Sequence, residues 1–248
     1  MTNSLDHSLN ISPAKPLFRP KALLFDHDGV LVASEPLHWQ AWAELFRSIG
    51  LFYDEPHLRA MVGKPAPDIL RSMFKKQKPE LPHTDEELLA LATKKNGFYL
   101  DLMPTQLKIY DGVNECLDWA KTNSIKLCVV SNARRRELRA ALESLKIDHF
   151  FDEILSREEL AKPKPDPMAY LTGAAVLQVN PSECYAIEDS PTGLESALLG
   201  GVPCIGLETN FSFDQLNSPI PGKSHLKPNA IYKNFRDFFE SLRLTDGK

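Results

Sequence analysis

The run Ala22-Leu23-Leu24-Phe25 breaks into Asp26-His27-Asp28-Gly29 before apolar residues resume at Val30-Leu31. A short apolar run bounded by turn chemistry reads as a buried strand. In open parallel sheets the functional crevice lies outside the carboxyl ends of the strands, so this strand delivers Asp26 and Asp28 to such a place. Residues two apart in extended chain point the same way, and both carboxylates therefore address one site. Gly29 lets the backbone turn away without a side-chain clash. Two like charges this close call for a cation or a shared proton. A calcium loop of the Asp-x-Asp type is excluded, because it needs its glycine at position six and Gly29 stands at position four.

The segments that follow decide the fold class. Ser34–Gly50 carries helical spacing through Trp39, Trp42, Leu45, Phe46 and Ile49, and helical patterns recur over 66–74 and 86–102. Gly63, Pro65, Pro79 and Pro82 punctuate them. From Lys108 the pattern changes to helices alternating with β-rich runs at 126–130, 151–155, 185–187, 203–207 and 230–232. Alternation of this kind implies crossover connections and a parallel sheet. The expected architecture is α/β: a doubly wound, Rossmann-like parallel sheet with an inserted α-helical cap. The expected core spans 20–35 and 106–248, the cap spans 36–105, and residues 1–19, with Pro13 and Pro16, form a loose tail. Residues 208–227, rich in Asn, Ser and Pro, read as a long loop.

Composition narrows the function classes. A net charge of −4 over 248 residues offers no basic excess for phosphate backbones, so a nucleic-acid partner is not expected. No apolar run approaches the about 20 residues of a spanning helix, so no membrane partner is expected. The first 20 residues lack a signal-peptide apolar region. Cys116, Cys128, Cys184 and Cys204 are scattered without a CxxC pair. They read as reduced core thiols of a cytoplasmic protein.

Four motifs stand in order along the chain: Asp26-His27-Asp28-Gly29-Val30, Val129-Val130-Ser131-Asn132, Lys162-Pro163-Lys164-Pro165-Asp166-Pro167, and Ile187-Glu188-Asp189-Ser190-Pro191. Together they resemble the haloacid-dehalogenase-like phosphotransferase superfamily over roughly residues 20 to 207. Within it the chain is most similar to the β-phosphoglucomutase-like, capped phosphatase subgroup. The resemblance implies that Asp26 is the nucleophile and Asp28 the general acid/base. It implies a magnesium (Mg2+) site from Asp26, the backbone carbonyl of Asp28, Glu188 and Asp189. Ser131 and Lys162 would hold the transferring phosphoryl group, with Asn132 a further ligand. Between the two lysines of the proline string, the family spacing to Asp166 selects Lys162.

For substrate contacts, the resemblance points to His38 and Lys95 in the cap, the latter followed by Asn96. Arg134, Arg135 and Arg136 open a helix, where positive charge opposes the dipole and a bound anion relieves the conflict. Arg134 is the residue selected there, with three solvated arginines as the alternative. One departure stands out: related mutases carry an arginine shortly after the cap glycine matching Gly63, and here Lys64-Pro65-Ala66-Pro67 follows instead. The leading expectation is a phosphatase for a small phosphorylated metabolite, acting through an aspartyl-phosphate. A hexose-phosphate mutase is the second reading, and a non-catalytic sugar-phosphate-binding regulator the third. A monomer or weak homodimer is expected.

Overall fold

A computed structural model describes residues 17–61, 64–79 and 83–247. Gly63, Pro82, Pro13 and Pro16 lie outside the described residues. Six strands form one all-parallel sheet: β1 (Ala22–Phe25), β2 (Lys126–Val130), β3 (Glu153–Leu155), β4 (Cys184–Glu188), β5 (Cys204–Leu207) and β6 (Ala230–Tyr232). Their spatial order is β3-β2-β1-β4-β5-β6, so β1 is central and paired on both sides. All four residues of β1 are buried, which is why the strand is continuously apolar rather than alternating. The expected doubly wound α/β fold is the one observed.

The chain divides into two compact units, one comprising Ser34–Lys108 and the other the residues on either side of it. The inserted unit holds α1 (Glu35–Ser48), α2 (Glu55–Arg59), α3 (Ala66–Gln77) and α4 (Asp85–Gln106). Its core is its own: Trp42, Leu45, Phe46, Ile69, Leu70 and Met73 pack with Leu88 of α4. Thr84 and Glu87 form a reciprocal capping box that starts α4 one residue before the expected boundary. The short helix α2, begun by the Asp54 cap and Pro56, was not expected from periodicity; five residues are too few to show a period.

The sheet-bearing unit adds α5 (Val113–Thr122), α6 (Arg135–Ser144), α7 (Met168–Val176), α8 (Pro191–Leu199), α9 (Phe213–Leu216) and α10 (Phe235–Arg243). One face of the sheet packs Leu24, Val130 and Ala186 against Tyr170, Ala174 and Ala197. Aromatic contacts extend from Phe25 to Phe235, 6.1 Å between ring centroids. The end of the expected tail is docked rather than loose: Phe18 stacks on Tyr185 at 4.4 Å and its backbone N–H donates to the Tyr185 hydroxyl. The expected loop 208–227 contains α9, started by a Ser212–Gln215 capping box.

Helix α7 crosses close over β1 and β2 because Gly173 has no side chain. A Cβ there would lie 2.8 Å from Val130 Cγ2 and 3.6 Å from both Leu24 methyl carbons. Gly173→Val should therefore overpack this contact and lower stability by about 1–3 kcal/mol, read as a reduced urea midpoint. An unchanged midpoint would show that α7 shifts without cost.

Candidate active site

Parallel pairing gathers the polar residues at one sheet edge. Phe25 lies opposite both Val129 of β2 and Ile187 of β4, so Asp26 emerges between Val130 and Glu188. Ser131 follows β2 directly, buried, with its hydroxyl accepting from the Ala133 N–H at 3.0 Å. Glu188 is the last residue of β4 and is fully buried, with Asp189 next in the chain. Asp26, Glu188 and Asp189 each present a carboxylate oxygen within 4.8 Å of the other two. Asp28 is the more open acid, its side chain 36% exposed.

The cation at this site is Lys164. Its Nζ donates to Asp26 Oδ1 at 2.7 Å and to Glu188 Oε1 at 2.6 Å. Lys162, the lysine expected from the motif spacing, is exposed and pairs with Asp166 at 3.3 Å. The Lys-Pro-Lys-Pro string offers two registers, and only burial distinguishes them. Asn132 also departs from expectation. Its amide oxygen accepts from the Lys164 N–H and its amide nitrogen donates to the Lys164 carbonyl, at 3.0 and 3.1 Å. Both ends of the side chain are thus given to the Lys164 backbone, so Asn132 positions the lysine rather than presenting itself as a phosphate ligand.

Three further residues hold the acids, and sequence reading passed over them. Tyr170, on an apolar helix and indistinguishable there from a core residue, donates its hydroxyl to Glu188 Oε1 at 2.7 Å. Thr209 donates to the Gly29 carbonyl at 2.6 Å, and Asn210 donates to Asp189 Oδ2 at 2.8 Å. Both lie after β5 in a segment whose Asn/Ser/Pro composition signals only a loop. On the other side of the cluster, Ser190 caps α8 and donates to Glu188 Oε2 at 3.1 Å. Glycine is required at two places. A Cβ on Gly29, which has φ +79°, would fall 2.0 Å from Asp189 Oδ2, and one on Gly193 would fall 1.8 Å from Glu188 Oε1.

Electrostatics show a site short of positive charge. Burial pushes the Asp26 carboxyl up to about 7; Lys164 opposes the rise, and Glu188 and Asp28 add to it. Burial, then Asp26 and Glu188, hold the Asp189 carboxyl well above the usual range. Burial works against the Lys164 charge, yet the Asp26 and Glu188 carboxylates together raise its pKa and keep it protonated. One ammonium against three carboxylates leaves a deficit that an oxygen-seeking divalent cation fits. Asp26, Glu188 and Asp189 are the residues that would hold it.

The other expected residues fall in two places. Arg134 is the exposed N-cap of α6, whereas its neighbour Arg135 is engaged by Glu158 and Glu159. In the inserted unit, His38 Nδ1 and Lys95 Nζ are 2.7 Å apart. Tyr99 stacks on His38 at 4.1 Å, and the buried Lys95 ammonium lies 5.4 Å from the Trp42 ring. His38 and Lys95, expected separately as substrate contacts, thus touch each other, with Asn96 half-buried beside Lys95.

Known proteins resemble this chain in sequence and fold. The family model described as haloacid dehalogenase-like hydrolase matches residues 23–207. Validoxylamine A 7'-phosphate phosphatase of Streptomyces hygroscopicus subsp. limoneus is 33% identical over 79% of this chain and 89% of its own length. Beta-phosphoglucomutase of Bacillus subtilis is 31% identical over 75% of this chain and 83% of its own. A crystal structure of a HAD hydrolase of family IA, variant 3, from Entamoeba histolytica superposes with a TM-score of 0.76 at 24% identity, covering 91% of this chain and 99% of that one. The chain belongs to the haloacid dehalogenase-like hydrolase family, and it is an enzyme of that class.

A carboxyl that is raised on folding binds its proton more tightly in the native state. The metal-free protein should therefore lose stability as pH climbs from the ordinary carboxyl value of 3.8 toward about 7. A divalent cation must displace the same proton, so its affinity should rise as pH increases through about 7, with proton release on binding. Titration calorimetry with magnesium in two buffers of different ionisation enthalpy measures both. Affinity that is flat across this window, with no proton released, would contradict the assignment.

Proposed function

We propose that this chain is a magnesium-dependent phosphatase for a small phosphorylated metabolite of the sugar-phosphate kind, working in a reducing cytoplasmic setting. The observation that carries the reading is the Lys164 ammonium held 2.7 Å from Asp26 Oδ1, at a sheet edge where the buried Ser131 ends the adjoining strand. A carboxylate so placed attacks phosphorus, while an ammonium beside it balances the charge of the phosphoryl oxygens. All four cysteines are buried free thiols, which supports the reducing compartment. Among the described residues no helix is long and apolar enough to cross a membrane.

The chemistry divides between the two aspartates. Asp26 Oδ attacks the phosphorus and the ester P–O bond breaks, its electron pair going to the leaving oxygen. The protonated Asp28, open to solvent, gives that oxygen its proton. Asp28, now a carboxylate, takes a proton from water as the water oxygen attacks the phosphorus of the aspartyl-phosphate, releasing Asp26 and inorganic phosphate. Ser131 and the backbone amides following β2 orient the phosphoryl oxygens, with Lys164 fixing the attacking carboxylate. Magnesium, when bound, supplies the charge neutralisation that the carboxylate cluster lacks.

A mutase is the second reading, favoured by the half-buried His38–Lys95 pair in the inserted unit, which suits a held sugar hydroxyl. Against it, α3 offers no uncommitted arginine: Arg71 is bound to Asp68 and Asp85, and Lys64 is the cation of the preceding turn. Purified protein should release phosphate from sugar monophosphates faster than it isomerises glucose 1-phosphate, even with a sugar bisphosphate primer. Rapid primed isomerisation with little free phosphate makes the chain a mutase.

The two lysines give a sharper test. Lys164→Met should lower kcat by about 10²- to 10³-fold, as loss of a preorganised charge does. It should also destabilise the fold by about 3–5 kcal/mol, because Asp26 and Glu188 lose their buried partner. Lys162→Met removes only an exposed, solvent-screened pair and should leave both turnover and stability near wild type. Asp26→Asn, nearly isosteric, should fold normally and release no phosphate. Steady-state phosphate release beside thermal melts checks all three, and equal effects of the two lysines would remove Lys164 from the site.

A further inference from the structure

Asp189 is buried, and its two carboxylate oxygens have different surroundings. Oδ2 accepts a hydrogen bond from Asn210 Nδ2 at 2.8 Å and lies 3.4 Å from Thr209 Oγ1. Gly29 packs against the same oxygen, so closely that a Cβ there would fall 2.0 Å from it. Among the described residues, the hydrogen bonds of the Asp189 side chain all fall on Oδ2 and none on Oδ1. The neighbouring acid differs: both oxygens of Glu188 accept from protein donors.

Anchoring the loop after β5 does not account for Asn210. Thr209 already ties this loop to the loop after β1, donating to the Gly29 carbonyl at 2.6 Å. Around it the Glu208 carboxylate accepts from the Phe213 N–H at 3.2 Å, and the Ser212 N–H donates to Gln215 Oε1 at 2.9 Å. Asn210 itself is exposed, where water can satisfy its amide. It nevertheless reaches across 21 positions of chain to one carboxylate oxygen. The amide orientation follows from the partner, since an ionised carboxylate only accepts and the nitrogen must face it.

We propose that Asn210 is a positioning residue that sets which divalent cation the acid cluster takes. With Oδ2 committed to Asn210 and pressed on Gly29, Asp189 offers an ion Oδ1 alone and does not chelate through both oxygens. Magnesium demands a near-ideal octahedron, which single-oxygen carboxylate contacts suit. Calcium takes more oxygens at longer distances and accepts both oxygens of one carboxylate. The same hydrogen bond keeps the carboxylate from turning, as partners that orient metal ligands do. Freeing Oδ2 therefore weakens magnesium more than calcium. This inference rests on the magnesium-dependent phosphatase reading and names a selectivity residue for it; Asn210 acts only through Asp189.

The test is titration calorimetry of magnesium and of calcium with wild type, Asn210→Leu and Gln215→Ala at one pH, beside thermal melts of the metal-free proteins. Asn210→Leu is nearly isosteric and lies in an exposed loop, so it should melt close to wild type. Its magnesium affinity should fall about tenfold or more while its calcium affinity changes less than about threefold, moving the preference toward calcium. Gln215→Ala loosens the far end of the same loop and should leave both affinities near wild type. Equal changes for the two metals, no change for either, or the same shift in Gln215→Ala overturn the selectivity role. Magnesium-dependent phosphate release by wild type then leaves the phosphatase reading standing. A wild type that binds neither metal and releases no phosphate with magnesium overturns both.

Discussion

The structure turns on the Lys164 ammonium set between Asp26 and Glu188. Parallel pairing of β1 with β4 forces these carboxylates to neighbouring strand ends, and burial makes their mutual repulsion costly. One buried cation bridging both relieves it, and much of the nearby architecture serves to keep that cation in place. Asn132 ties down the Lys164 backbone with two hydrogen bonds, and Tyr170 lies beneath the ammonium, 4.7 Å from ring centroid to Nζ, while bonding the same Glu188 oxygen. Gly193 then brings the start of α8 against Glu188, where any side chain would collide.

A single ammonium does not neutralise the cluster. Asp189 remains, held by Asn210 from the loop after β5 and pressed against Gly29 from the loop after β1. The raised pKa values of Asp26 and Asp189 are the physical expression of a missing positive charge, and they explain why a divalent cation suits the site. Asp28 is left outside this buried arrangement. The buried His27 lies beside it, Nδ1 3.2 Å from Asp28 Oδ1.

The inserted unit follows a different logic. It has a separate core, and its polar feature is the Lys95–His38 pair under Trp42 and Tyr99. Aromatic faces favour the buried ammonium through their negative quadrupole, which allows a lysine in an otherwise apolar interior. The strand-end acids and the Lys95–His38 pair thus reside in units with independent packing. That separation accords with similarity both to a phosphatase and to a phosphoglucomutase.

Strand and helix periodicity, with the turn residues between them, were enough to read the alternating architecture and the helical insertion. The Asp26/Asp28 and Glu188/Asp189 pairs were legible as well, because each follows directly on an apolar strand and its position is a local property. Residues that act through long-range packing were not legible. Lys162 and Lys164 occupy equivalent places in the proline string, and choosing between them needs the burial that α7 and β4 impose on Lys164. Asn132 reads as a polar residue near the site until its partner, 32 positions away, is known. Tyr170 hides in an apolar helix and Asn210 in a loop of ordinary loop composition. The sequence by itself determined the strands, the helices and the acids at the strand ends, since these depend on short-range periodicity and turn chemistry. Tertiary structure alone decided which cation compensates those acids and which neighbours orient them, because burial and charge proximity arise only when distant segments pack together.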